Sequence, residues 1–294
     1  MTTAFGVAIT TVGRWQELAN LLDDVAAQTL RPRAVAVAFH ADDNETPPEL
    51  AALVHRFADT LPIRTVVSPR GVSHGRNTAA AALPDTVEWL HFPNDTTRID
   101  PDFFEKLAPH CVPPATVCAV QMVDDEGSRN PLPAPGTALT RRNVWGAIEP
   151  ATLIRREAFL AAGGFDTALG SGADSPWQAG EGTDLLLRMS AQPDFLIQWV
   201  PDVVVHAHTE FAHLPAAERR RKLRRYGRGA GHLLRTWRYP LWYRLAHLLA
   251  AALMPLRNPG KFTVRDSWAL LLGRTEGVLG RTLGGDSDYR AVSR

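Results

Sequence analysis

Three groups of side chains in this 294-residue chain have types and spacings that can do chemistry. The first is Asp95 in Pro93-Asn94-Asp95, which follows the apolar residues Trp89, Leu90 and Phe92. That pattern predicts a buried strand delivering a carboxylate to its C-terminal tip, with Asp100-Pro101 opening the next amphipathic segment. Ligands of open α/β sheets bind at such tips, although an aspartate there also serves as a turn cap. The second group is Glu181 and Asp184, at the start of a predicted helix over Glu181–Met189. The helix dipole favours a glutamate in that place, and Asp184 is spaced to pair with Arg188 one turn later. The third is His206 and His208, two apart on a predicted strand and so on one face of it. Neutral imidazole is a good ligand for Mn²⁺-like ions and a modest one for Mg²⁺.

The elements that must position these groups alternate. Strands are predicted over Phe5–Thr11, Ala34–Phe39, Ile63–Val67 and Trp89–Phe92, and helices over Trp15–Gln28 and Pro47–Leu61. Gly71–Asn77 reads as a turn, with a helix starting at Thr78. This alternation over the first hundred residues predicts a mainly parallel sheet covered by helices on both faces. Farther on, Thr116–Met122, Ala151–Arg155, Phe195–Trp199 and Val203–Val205 read as strands, and Glu157–Ala162 as a short helix closed by Gly163-Gly164. The Gly-, Pro- and Asn-rich stretch 124–142 reads as a long loop of the kind that binds something. Gly170–Gly180 reads as a small-residue loop able to move.

A hydrophobic content of 45% with 21% charged residues is that of a soluble globular protein with a large core. The net charge of +1 hides a division: residues 211–294 carry 17 Lys and Arg against 5 Asp and Glu, and residues 1–210 carry 15 against 26. A basic half predicts contact with an anionic surface. Cys111 and Cys118 are the only cysteines, which excludes a disulfide scaffold and fits a reducing compartment. The N-terminal residues show no signal-peptide pattern, and no apolar run is long enough to span a bilayer. The basic run Arg219–Arg225, then Trp237, Tyr239, Trp242 and Tyr243, then the Leu/Ala-rich Leu245–Met254 suit a segment lying in a membrane surface. Packing on the rest of the chain or on a twin subunit is the alternative. Nucleic acid is not an expected partner, because no recognised binding module is present.

Six elements in order give the chain a resemblance to inverting family 2 glycosyltransferases. They are Thr11-Val12-Gly13-Arg14, Gly71–Asn77, Phe92–Asp95, RREAFLAAGGFD over Arg155–Asp166, Gly180–Leu185, and VVVHAH over 203–208. The resemblance covers about residues 5–210. It implies an α/β fold of the GT-A nucleotide-sugar-binding type over 1–210, followed by a basic helical extension over 211–294.

The resemblance also implies roles. The donor would be a nucleotide-diphosphate sugar, held by Thr10, Thr11, Arg14, Asp42, Arg76, Asn77, Asn94 and Asp95. Guanidinium groups suit the oxygens of a diphosphate. A divalent metal, Mn or Mg, would sit against Asp95 with His206 or His208. Pro93 stands where the family has its first acidic metal residue, so a single carboxylate remains there. Gly182 stands at the family's usual catalytic aspartate, which leaves Glu181 as the expected base and Asp184 as the other candidate. Trp145 and Trp177 are expected at the acceptor, since sugar rings stack on aromatic faces, with simple packing as the other use. The implied reaction moves a sugar to a hydroxyl of a lipid-linked or cell-envelope glycan. The expected setting is cytoplasmic, peripheral on the inner membrane face through 219–257, with a homo-oligomer allowed. A protein of the same fold that binds nucleotide or glycan without turnover, or a nucleotidyltransferase, is the alternative.

Overall fold

The computed structural model describes residues 3–125, 127–129, 131–207 and 214–284. The chain forms two compact units. The first comprises Met1–Arg70, His74–Phe165 and Leu185–His208; the second comprises Gly71–Ser73, Asp166–Asp184 and Thr209–Arg294. The second unit thus joins two stretches from the middle of the chain to its C-terminal part.

The first unit is built on one nine-stranded sheet. Its strands are β1 (Phe5–Thr11), β2 (Ala34–Phe39), β3 (Ile63–Val67), β4 (Trp89–His91), β5 (Arg98–Ile99), β6 (Val117–Asp124), β7 (Gly127–Ser128), β8 (Thr152–Arg155) and β9 (Ile197–His206). The order is β3-β2-β1-β4-β8-β6-β9-β5, with β7 paired to β6. β1 runs parallel to β2 and β4, and β2 parallel to β3. β8 is antiparallel to both β4 and β6, while β6 and β9 are parallel. β1 and β2 read as unbroken apolar runs because helices bury both of their faces. The covering helices are α1 (Trp15–Ala26), α2 (Pro48–Arg56), α3 (Val72–Ala82), α4 (Phe103–Leu107), α5 (Arg156–Ala161) and α6 (Glu181–Met189). The core centres on Phe5, Val7, Ile9, Leu21, Val35, Val37, Phe104 and Leu153, all almost completely buried.

Two elements differ from the sequence reading for identifiable reasons. Gly71–Asn77 is not a turn: α3 already starts at Val72, directly after Gly71 makes the bend at φ +115°. The second glycine of that stretch, Gly75, serves packing. A Cβ built there falls closer than 3.0 Å to Thr10 Cγ2, so α3 lies against the tip of β1 only because position 75 has no side chain. The two strands expected over 195–205 are one strand, β9. Its register against β6 shifts between Val120 and Gln121, where Pro201, Asp202 and Val203 are passed over. Proline cannot donate to the ladder, and the irregularity accommodates it. The stretch after Asp124 opens with a short strand, β7, that folds back on the end of β6.

The second unit holds α7 (Ala216–Thr236), α8 (Leu241–Ala252), α9 (Met254–Arg257) and α10 (Val264–Leu279). α7 and α10 pack backbone against backbone through Gly227, Gly231, Gly273 and Gly277, where an added Cβ would meet the facing main chain within 3.0 Å. A buried ion cluster ties the same pair. Glu276, fully buried, accepts from Arg224 Nε (3.1 Å) and Nη2, from Arg228 Nε (2.6 Å) and from the Leu283 amide (2.8 Å). Burial pushes the Glu276 carboxyl up, but the Arg224 and Arg228 hydrogen bonds outweigh it and hold it below the usual range. Asp266 closes a capping box with Thr263 at the start of α10 and accepts from Arg219 at 3.0 Å.

Candidate functional site

In the first unit, the expected donor-side residues gather at the carboxyl ends of β1 and β4. β1 delivers Thr10 and Thr11, and the segment after β4 delivers Asn94 and Asp95; Thr10 and Asn94 pair across the gap as an isolated parallel bridge. Asp95 is fully buried. Its Oδ2 accepts from Thr11 Oγ1 at 2.9 Å and from Arg14 Nε at 3.1 Å, and its Oδ1 accepts from Arg14 Nη2 at 2.5 Å. A carboxylate taken out of water must be paired and hydrogen-bonded, and the bidentate guanidinium meets that need. Arg14 itself stays half-exposed, with 52% of its side chain accessible.

Beside this pair, Arg76 of α3 is buried and donates from Nη2 to Asn94 Oδ1 at 3.1 Å, with its guanidinium 5.3 Å from the Phe165 ring centre. Asn77 next to it uses both ends of its amide on one residue: Nδ2 donates to the Phe165 carbonyl and Oδ1 accepts from the Phe165 amide, each at 2.9 Å. Asn77 therefore positions the Gly163-Gly164-Phe165 corner. The same corner accepts two hydrogen bonds from Arg188, at the Ala162 and Gly164 carbonyls. Phe92, at the end of β4, packs on Phe159 and Phe165 with ring centres 5.1 and 5.0 Å away. The apolar residues of the RREAFLAAGGFD stretch are thus the support beneath the strand tip that carries Asn94 and Asp95. Asp42 lies past the end of β2, exposed, 3.3 Å from His40 Nε2.

These residues do not by themselves make a metal site. Both Asp95 oxygens are engaged by Thr11 and Arg14, and His206 Nε2 lies 3.1 Å from Asp100 Oδ1. Among the described residues no three His, Cys, Asp or Glu side chains are grouped to hold an ion. His208 lies outside the described residues, so its expected alignment with His206 does too. Under the site, His91 of β4 is completely buried, with Nε2 at 2.8 Å from the Pro150 carbonyl. Burial lowers its pKa to about 4, against the raising effect of that carbonyl.

In the second unit, Glu181 opens the α6 stretch and is 8% exposed, and Asp184 is 6% exposed. The Asp184 amide donates to the Gly180 carbonyl at 2.9 Å. One oxygen of Asp184 accepts from Trp237 Nε1, at the C-terminal end of α7, at 3.0 Å. Trp237 is a contributor that sequence reasoning placed only with the membrane-facing aromatics; no local spacing connects 184 to 237. The Gly170–Gly180 segment, expected as a loop able to move, is braced from inside. Gln178 accepts from the Gly172 amide and donates to the Ala173 and Ser175 carbonyls, and Ser73 Oγ donates to Leu169. Trp177 stacks on His232 with ring centres 4.4 Å apart and 14° between planes. Trp145 belongs to the first unit, on a single helical turn, Val144–Gly146, and is half-buried.

The architecture is a GT-A-type fold followed by C-terminal helices, as the resemblance implied. Solved structures share it across nearly the whole chain. S. aureus TarS 1-349 aligns over 95% of this chain and 92% of its own, with a TM-score of 0.55 at 15% identity. The same protein solved with UDP-GlcNAc aligns with a TM-score of 0.55 at 14% identity, over 95% of this chain and 93% of that one. The mannosyltransferase PcManGT from Pyrobaculum calidifontis, solved with GDP-Man and Mn²⁺, aligns over all of this chain and 79% of its own, with a TM-score of 0.55 at 16% identity. No family model matches the sequence. No curated protein matches it either.

Proposed function

We propose that the chain is an inverting, family 2-like glycosyltransferase that moves a sugar, a hexose or deoxyhexose, from a nucleoside diphosphate to a hydroxyl. The observation that carries this reading is the cluster of Arg14, Asp95 and Thr11 with Arg76 and Asn94 at the carboxyl ends of β1 and β4. Two guanidinium groups at a strand tip of this fold suit a diphosphate. The nucleotide sugars in the TarS and PcManGT structures support the donor class. Arg14 and Arg76 would offset the diphosphate charge, and Asn77 would fix the corner beneath it. Asp42 would reach the base or ribose.

In the reaction, the acceptor hydroxyl forms a bond to the anomeric carbon as the bond from that carbon to the diphosphate oxygen breaks. The electron pair of the broken bond leaves with the nucleoside diphosphate, and the configuration inverts. Glu181 takes the hydroxyl proton as general base. Asp184, held by Trp237, is assigned to positioning in the same helix start. Trp145 and Trp177 are proposed at the acceptor. The Mn²⁺ of PcManGT supports a divalent ion as cofactor, which Asp95 with His206 or His208 would hold. Arg14 already pairs with the Asp95 carboxylate.

Residues 1–210 would be the catalytic domain and 211–294 an extension that meets the cytoplasmic face of a membrane, where a lipid-linked or cell-envelope glycan is presented. No described helix is long and apolar enough to cross a bilayer. Pro93 and Gly182, standing where carboxylates are expected, favour a second reading in which nucleotide or glycan binds without turnover. Glu181→Gln separates the two. Under the enzyme reading it removes sugar transfer and leaves nucleoside diphosphate binding, measured by calorimetry, unchanged. Transfer that survives Glu181→Gln refutes the assignment of the base, and its absence from the wild type across a donor panel favours the binder.

A further inference from the structure

The second unit carries an open groove of about 670 Å³ between the N-terminal parts of α7 and α10. Its walls combine Arg220, Arg221, Arg224 and Arg265 with Ala217, Trp268 and Leu272. Arg224 is committed to Glu276. Arg220, Arg221 and Arg265 make no ion pair among the described residues. Of the acidic groups on α7 and α10, Asp266 and Glu276 are buried and paired with Arg219, Arg224 and Arg228, which leaves the exposed Glu218 as a single carboxylate beside three arginines. Three such guanidiniums with an exposed indole (Trp268, 63%) make a surface for an anion that carries an apolar part.

That apolar part has a place. On α8 and α9, Leu241, Leu245, Leu249 and Leu253 recur every fourth residue and are exposed, with Trp242 and Leu256 alongside. Among the described residues the four leucines and Leu256 form an exposed apolar face, and its neighbours carry one sign of charge. From Pro240 to Arg265 the chain has no Asp or Glu and has Arg244, Arg257, Lys261 and Arg265. The stripe and the groove adjoin. Ser267, one residue before Trp268, donates to the Ala251 and Ala252 carbonyls at the end of α8 at 2.6 and 2.9 Å.

We propose that the α7–α10 groove recognises the phosphate of an anionic lipid headgroup while the leucine stripe of α8–α9 beds in the adjoining interfacial layer. The pairing of the two features selects this occupant. A free phosphate would use the arginines and leave the leucines without purpose, a nucleic acid likewise, and a second copy would bring like charge against like. The inference rests on the membrane-peripheral part of the function proposed above and names the surface and the lipid chemistry.

The test is co-sedimentation of the full chain with phosphatidylcholine vesicles, with and without phosphatidylglycerol, in the absence of nucleotide. Wild type binds the phosphatidylglycerol vesicles, less so at high salt. R220A/R221A/R265A, which leaves Arg224 and the ion cluster alone, binds them roughly 100-fold more weakly, at about 5-fold per basic residue. L245S/L249S weakens binding to every vesicle type. Retained thermal midpoints and circular dichroism show that the variants fold. Equal binding of wild type and the triple variant overturns the proposal, as does wild-type binding blind to phosphatidylglycerol. So does a groove that binds inorganic pyrophosphate or an oligonucleotide while the chain ignores vesicles, or a stripe that proves to be a dimer interface by sedimentation equilibrium. Nucleoside diphosphate calorimetry on the same variants keeps the two readings apart. Vesicle binding with no nucleotide binding leaves this inference standing and removes the glycosyltransferase, and the reverse result does the opposite.

Discussion

Substituting Gly75 by alanine sets helix propensity against packing, and the structure decides the sign. Gly75 lies inside α3, where alanine is ordinarily better than glycine by about 1 kcal/mol. Here the new Cβ would fall closer than 3.0 Å to Thr10 Cγ2 and 3.1 Å from Thr10 Cβ. Thr10 cannot retreat freely, since it lies within β1 in register with Ala38 of β2 and bridges to Asn94. Turning its methyl away costs about 0.5–1.5 kcal/mol off-rotamer, and overpacking a well-filled contact typically costs about 1–3 kcal/mol. The net expectation is a loss of about 1–2 kcal/mol, read as a lower urea midpoint at unchanged slope. Displacing α3 also loosens the 3.1 Å hydrogen bond from Arg76 to Asn94, so affinity for a nucleoside diphosphate should fall about tenfold, near 1.4 kcal/mol. Thr10→Ser removes the offending methyl. In that background G75A should cost almost nothing, a coupling of about 1–2 kcal/mol in a double-mutant cycle. A G75A variant more stable than wild type, or one that T10S does not rescue, would refute the packing argument.

Glu276→Gln should destabilise the second unit by about 3–5 kcal/mol, because it leaves Arg224 and Arg228 charged around a neutral buried amide; an unfolding free energy from urea titration within about 1 kcal/mol of wild type would contradict this. Acid should weaken the first unit through His91. The unfolded chain takes up a proton near 6.5 and the folded one only near 4, so the unfolded state binds more protons between those values. Stability is then full above about pH 6.5 and falls by about 3 kcal/mol on going down to pH 4. His91→Phe should flatten that interval in pH-dependent unfolding, and an unchanged slope would show that His91 is not the titrating group. Asp266 and Glu276, both held below the usual carboxylate range, add a further loss at lower pH, since their stabilisation is present above the unfolded value and is lost on protonation.

β1, β2 and β4 were legible because each is a short, buried apolar run ending in polar residues, and β3 because it is a short β-branched run; the predicted bounds of β1, β2 and β3 match the structure. The GT-A arrangement was legible through the order of weak motifs. What local pattern could not show were contacts made across long separations. Nothing in Gly71–Asn77 says that Gly75 is a packing position against Thr10, so glycine content suggested a turn where a helix begins. Arg14 sits 81 residues from Asp95, and their bidentate pairing, which uses the carboxylate expected for a metal, became visible only in three dimensions. Trp237 donating to Asp184 is of the same kind, at a separation of 53. β5, with only two residues, has no periodicity to read.

The central claim is that Arg14, Arg76 and the Asn94-Asp95 tip receive a nucleoside diphosphate, and titration calorimetry tests it most directly. The wild-type chain would be titrated with a panel that includes UDP and GDP, in EDTA and with Mn²⁺ or Mg²⁺, beside Arg76→Ala and Asp95→Asn. The account predicts that one nucleotide binds the wild type and that both substitutions weaken it at least tenfold. Binding that persists in EDTA would place the diphosphate charge on the two arginines, and binding only with Mn²⁺ or Mg²⁺ would place it on a metal held through Asp95. Wild type that binds no nucleoside diphosphate under any of these conditions would contradict the account.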